Sequence, residues 1–227
     1  MTIPPFPWLL QTEGISVATL LPVAIEDARR TVPAALRILS VWPGWTLGGL
    51  LLTRYGPGSV LEYNELVACG ALVRFEGRTW VWVTHVYVDS ARSMRWGREG
   101  IGAPKSIARF HRVEGDSTRV TVIAGGTTVC TLWHGRPRWL WKQRLRVGAM
   151  HVHAGEPGRL TLSLHGNEFV SRIGLAARAG ASIPVGSPLR PLGLERPLVG
   201  IAAGPGRALL GGAPFLPFRT ISLDEID

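Results

Sequence analysis

"GREGIGAPK", residues 97–105, ends in one of only two lysines in a chain that carries 23 arginines. Arginine keeps its proton inside proteins, whereas a lysine in weakly polar surroundings can lose it. The flanks of Lys105, "IGAP" before it and "SIARF" after it, are weakly polar and suit such desolvation. A neutral amine attacks a ketone to give an iminium ion, which withdraws electrons from a neighbouring C–C bond. Loss of CO2, aldol cleavage and dehydration all follow from that cation. The plain alternative is a surface lysine that happened to survive in an Arg-rich chain.

Outward from this stretch the pattern is that of strands. "NELVACGALVRF" (64–75) and "TWVWVTHVYVD" (79–89) are β-leaning runs, and "EGR" (76–78) between them is a hairpin signal. "SARSMRWGRE" (90–99) predicts a short helix with Ser90 as N-cap, stopping near Gly97. Further strands are expected at 14–21, 45–53, 106–113 and, as one or two strands, in 118–134. "RLTLSLHG" (159–166) alternates as a strand, and "GNE" (166–168) then predicts a hairpin turn. Ala24–Thr31 suits a short helix that Pro33 ends. Hydrophobic residues make up 46% of the 227 residues and charged ones 18%, with 28 Gly and 17 Pro, which excludes a disordered chain. The expectation is one domain over residues 1–227, α+β but β-rich, mostly antiparallel with a few short helices.

"GREGIGAPK" resembles the G-R-E-x-x-G-x-P-K stretch of the acetoacetate decarboxylase-like superfamily. "YNELVACGALVRFEG" (63–77) and "THVYVDSARSM" (84–94) are similar to the paired strands that precede the motif in that family. The resemblance implies a curved antiparallel sheet or cone around a buried apolar cavity, in a protein that is often oligomeric. It implies that Lys105 matches the Schiff-base lysine and that Glu65 matches a carboxylate facing it, able to orient a substrate or move a proton. Arg98 and Glu99 are expected to brace the lysine loop. Glu65 could instead form an ion pair with Arg98. His85, mid-strand, either lines the cavity or is simply buried. No cofactor is implied.

The sequence also departs from that pattern. The family's decarboxylases follow the Schiff-base lysine with a second lysine, and here the residue is Ser106. Their first-strand Arg has no counterpart in "QTEGISVATLL", nor a further Glu in "GWTLGGLLLTRY". Without a neighbouring cation, Lys105 would depend on burial alone to lose its proton. A more apolar cavity, roomier beside Ala103, suits a larger and less charged ligand.

The net charge of +9 and the Trp-interleaved "HGRPRWLWKQRLR" (134–146) raise nucleic acid as a partner. No RNA- or DNA-binding motif surrounds that stretch, so nucleic acid is not the expected partner. Cys69 and Cys130 sit in apolar runs and are expected as buried free thiols. His151 and His153 are two apart, on one strand face, but acidic residues and Cys are sparse around them and no metal is expected. "MTIPPFPWLL" lacks a basic n-region, and "ISVATLLPVAI" is too short to span a bilayer. A cytoplasmic homo-oligomer is expected. The functional expectation is a lyase forming a Lys105 Schiff base with a ketone or keto acid. The alternative is a non-catalytic binder of an apolar lipid, terpenoid or pigment-like ligand in the same cavity.

Overall fold

A computed structural model describes residues 2–153, 161–212 and 216–223. In chain order the first half holds β1 (Trp8–Thr12), β2 (Ser16–Ala24), α1 (Ile25–Ala28), β3 (Arg37–Ile38), β4 (Trp45–Tyr55), β5 (Tyr63–Phe75), β6 (Arg78–Val88), α2 (Ala91–Ile101) and β7 (Lys105–Ile107). The rest holds β8 (Arg109–Val113), β9 (Thr118–Ala124), β10 (Thr127–His134), β11 (Pro137–Val152), β12 (Thr161–Ala176), β13 (Gly180–Ser182), β14 (Val199–Ala203), β15 (Gly206–Leu210) and β16 (Arg219–Ser222). The architecture is β-rich, as the alternating and β-branched runs predict.

The larger sheet closes on itself. Its pairings run β2–β4–β5–β6–β11–β12–β14 and return to β2. β1 and β15 bridge β4 to β12. The expected curved antiparallel sheet is therefore mixed, because β6 pairs in parallel with both β11 and β7. A parallel neighbour needs a crossover, and α2 supplies it between β6 and β7. A four-stranded sheet, β13–β10–β9–β8, lies apart from this ring in hydrogen bonding. Its Val120, Val122, Cys130 and Leu132 share one core with Trp80, Trp82 and Tyr87 of β6 and Leu66 of β5. A second core gathers Trp8, Tyr55, Tyr63, Val83, Val86 and Trp96. β5 and β6 are thus buried on both faces, which is why their sequences read as near-continuous apolar runs.

Three local expectations are corrected and a fourth is met wherever the residues are described. The strand expected over 106–113 is two strands in two sheets, bent at buried Ala108, whose N–H donates to the Val88 carbonyl at 2.8 Å. "GNE" (166–168) is not a turn but the middle of β12. Its residues pair with Gly148, Val147 and Arg146, and buried Glu168 takes ion pairs from Arg146 at 3.0 Å and Arg144 at 3.5 Å. Those cross-strand partners outweigh the Gly-Asn turn preference. Of the strand expected at 159–166, residues 161–166 are strand, and 159 and 160 lie outside the described residues. α1 covers Ile25–Ala28 rather than Ala24–Thr31. The Trp-rich basic stretch opens β11, where Leu140, Trp141 and Leu145 are exposed among exposed Lys142 and Arg144.

Candidate functional site: a lysine–glutamate pair in an apolar cavity

α2 delivers the lysine. Its N-terminus is capped by Ser90, whose hydroxyl accepts from the Ser93 N–H at 3.2 Å. It does not stop at Gly97 but runs to Ile101 and closes on Gly102, in the left-handed region at φ 62°. Gly97 inside the helix has a packing reason. A β-carbon there would lie 2.6 Å from Lys105 Cδ, so the missing side chain makes room for the lysine stem. After Gly102 the chain reverses through Ala103 and Pro104 into β7, where Lys105 is registered beside Val86 of β6. Arg98 fixes that return by donating from Nε to the Lys105 carbonyl at 2.6 Å.

The lysine head is enclosed. Nζ is 2.9 Å from Glu65 Oε2 and 3.1 Å from Ser93 Oγ. It also stands 4.9 Å from the Tyr63 ring centroid and 5.9 Å from that of Trp8, within cation–π range. Lys105 and Glu65 are each 5% exposed, so this is a buried ion pair. Tyr55 donates its hydroxyl to the other Glu65 oxygen at 3.5 Å. Burial, with the Glu65 charge adding, holds the Tyr55 and Tyr63 phenols well above the usual tyrosine range. Glu65 is thus ringed by a cation and a neutral phenol, and it does not pair with Arg98.

The other expected residues lie elsewhere. Ser106 pairs with Tyr87 on the opposite face of β7, because neighbouring strand residues alternate. A cation at that position would not face the cavity, so the Ser there takes nothing from the charge around Nζ. Glu99 is exposed and reaches Arg95 at 4.0 Å, on the outer side of α2, and does not brace the lysine loop. His85 does not line the cavity. Thr84 is an extra residue in β6, since Val83 pairs with Cys69 and His85 with Ala68. The bulge reverses the alternation there: Val81 and Val83 face the cavity before it, Val86 after it, and His85 stacks beside Tyr87 with centroids 6.2 Å apart.

The cavity encloses about 450 Å3. Leu and Val of β2, β4, β5 and β6, with Phe6, Trp8, Ala103, Ala149 and Phe169, make up most of its wall. Among the described residues lining it, Lys105 and Glu65 carry the ionic charge. The first strands contribute Ala18, Thr19 and Leu20, and β4 contributes Leu47 to Leu51, so among the described residues no arginine faces the space. Arg54 is exposed and held by Glu13 at 3.2 Å. Cys69 lines the cavity and Cys130 lies in the main core; both are free thiols. No group of three or more His, Cys, Asp or Glu converges among the described residues. His151 faces the cavity, while His153 bonds Ser163 Oγ at 2.7 Å. No helix among the described residues is long and apolar enough to cross a membrane.

Residues missed in the sequence are Ser93, Tyr55, Tyr63, His165 and Asn167. Tyr63 stands two before Glu65 on one strand, a readable signal. Ser93 reaches Lys105 only through the tertiary packing of α2.

A closed, curved mixed sheet holding a buried lysine–glutamate pair in an apolar chamber is the acetoacetate decarboxylase-like fold. Over 98% of this chain it is similar to acetoacetate decarboxylase from Legionella pneumophila subsp. pneumophila, covering 90% of that chain with a TM-score of 0.72 and 13% identity. It is similar, too, to the enduracididine biosynthesis enzyme MppR complexed with pyruvate, over 98% of this chain and 92% of that one, with a TM-score of 0.70 and 21% identity. The acetoacetate decarboxylase family profile matches residues 2–138, and the chain belongs to that family. Curated relatives include Protein NEOXANTHIN-DEFICIENT 1 of Oryza sativa subsp. japonica, 34% identical over 113 residues, which are 50% of this chain and 36% of the relative. The protein of the same name from Arabidopsis thaliana is 28% identical over 106 residues, 47% of this chain and 36% of the relative. The match thus spans about a third of these relatives' length.

Proposed function

We propose that the protein binds an apolar, weakly polar small molecule in the cavity, with the Lys105–Glu65 pair as its polar anchor. The observation that carries this reading is the wall itself: among the described residues its two ionic groups are spent on each other, and no arginine faces the space to hold a substrate carboxylate. An uncompensated carboxylate in such surroundings is costly, whereas apolar surface is favourable there. The name of the curated relatives refers to neoxanthin, which agrees with a ligand of the terpenoid or pigment-like class. The test is native mass spectrometry of the protein isolated from its own host. A co-purifying apolar molecule is expected, released from wild type without chemical change or covalent attachment, and held more weakly by the Lys105→Met/Glu65→Gln double variant. Protein that carries none and takes up no terpenoid alcohol or ketone on incubation would overturn the reading.

A second reading is favoured by one distance. Nζ at 2.9 Å from Glu65 Oε2 gives the amine a carboxylate able to take its proton and return it. With an apolar ketone or keto acid, Lys105 would then form the Schiff base of a lyase. Borohydride trapping followed by peptide mapping tests this; no adduct on Lys105 with any carbonyl probe removes it. A single domain, a cytoplasmic location and assembly into a homo-oligomer complete the proposal. Light scattering of the purified chain checks the assembly.

A further inference from the structure

The hydrogen bonds of the Lys105–Glu65 pair go to Tyr55 and Ser93, and two histidines and an asparagine of the cavity wall lie beyond them, though the Lys105 charge is felt at His165. β11 and β12 pair with Val147 opposite Asn167, Ala149 opposite His165 and His151 opposite Ser163. His151, His165 and Asn167 therefore share the inward face of one strand pair, and all three line the cavity. His151 is 2% exposed and His165 7%, and their rings meet edge to face with centroids 5.5 Å apart.

Their hydrogen bonding is incomplete. His151 Nδ1 lies 3.1 Å from the Val152 carbonyl, which can only accept, so the proton sits on Nδ1 and Nε2 is a bare lone pair. That Nε2 has no partner among the described residues, and neither does His165 Nδ1. Asn167 Oδ1 accepts from the Gly211 N–H at 3.1 Å, and the same side chain bonds His165. Burial pushes His151 down to about 4. Burial, then the charges of His151 and Lys105, push His165 down to about 3, with a hydrogen bond to Asn167 opposing. At neutral pH both rings are uncharged. Buried polar nitrogens normally have partners, and a polar cluster in an otherwise apolar wall marks where a ligand is oriented.

We infer that His151 and His165, the latter bonded to Asn167, form a subsite for a neutral hydroxyl group on an otherwise apolar ligand. The inference rests on the apolar-ligand reading of the cavity and names the chemistry of that ligand. A carboxylate is disfavoured because the neutral rings offer it no positive charge. A ketone or ether oxygen has no proton to give His151 Nε2. A metal would need more ligands than these two imidazoles provide. A hydroxyl gives its proton to His151 Nε2, the bare lone pair of the cluster.

The experiment compares farnesol, farnesyl methyl ether and farnesene as ligands of the full chain by isothermal titration calorimetry. Farnesol is expected to bind roughly tenfold more tightly than the ether, the scale of one buried hydrogen bond. The advantage is expected to vanish in His151→Phe and to shrink in His165→Phe, with circular dichroism checking both variants. Equal binding of farnesol and its ether to the wild-type chain overturns the subsite but leaves the apolar cavity standing. A farnesol advantage that persists in both folded variants places the hydroxyl elsewhere and overturns it too. Binding of none of the three probes removes the apolar-ligand reading and the subsite with it. If a variant fails to fold, the wild-type comparison of alcohol and ether still decides.

Discussion

Gly97 and Lys105 occupy adjoining space: a β-carbon on Gly97 would lie 2.6 Å from Lys105 Cδ and 2.8 Å from Cε. The helix and the lysine it delivers are therefore fitted to each other. Gly97→Ala gains about 1 kcal/mol of helix propensity but crowds a packed stem, which costs about 1–3 kcal/mol. The expected result is a net loss of stability in urea titration, together with weaker ligand uptake or less borohydride adduct on Lys105. An alanine variant as stable and as active as wild type would show that the stem moves aside freely.

The buried ion pair predicts a non-additive cycle. Glu65→Gln leaves an ammonium with no carboxylate and is expected to cost about 3–5 kcal/mol. Lys105→Met strands the carboxylate and should cost a similar amount. The double variant replaces both charges and should recover most of the loss, read as denaturant midpoints of the four proteins. Additive losses would mean that the pair contributes nothing as a pair.

The cavity histidines predict an acid limb. The folded rings sit at about 4 and about 3, below the unfolded value of 6.5. Between those values the unfolded chain binds protons that the folded chain refuses, so stability falls as the pH drops below about 6.5. At about 1.4 kcal/mol per unit, several kcal/mol are withdrawn by pH 4. His165→Phe should flatten the slope of chemical-denaturation stability between pH 7 and pH 4.5. A slope unchanged in that variant would assign the acid limb to other groups.

Burial pushes the thiols of Cys69 and Cys130 up to about 12. At pH 8 almost no thiolate is present. Native protein should react with Ellman's reagent hardly at all, and both thiols should react fully in guanidinium. Fast labelling of one thiol in the native state would mean that its wall opens on that timescale.

How far the residues spoke for themselves varied with what decided each position. Lys105 and Glu65 were readable because a motif with fixed residue types and an uninterrupted strand carry them, and the fold joins them at 2.9 Å. His85 was not readable, because one inserted residue, Thr84, reverses the alternation that the sequence implies. In the sequence Ser106 stands where an activating cation is expected, yet strand geometry turns that position to the other face. "GNE" carries strong turn chemistry, but Arg144 and Arg146, some twenty residues away in the chain, hold Glu168 in a strand. Local preference decides where nothing distant competes. Position 97 shows the reverse, a glycine kept in a helix by a neighbour that only the folded chain supplies.

Glu65, Ser93 and Lys105 lie within residues 2–138, which the family profile matches, while His151, His165 and Asn167 stand beyond it on β11 and β12. The solved relatives nevertheless overlie 98% of this chain, so both walls belong to one fold. One chamber therefore has two sides drawn from separate stretches of chain, and the β11–β12 side can be re-lined by substitution without touching the amine or its carboxylate.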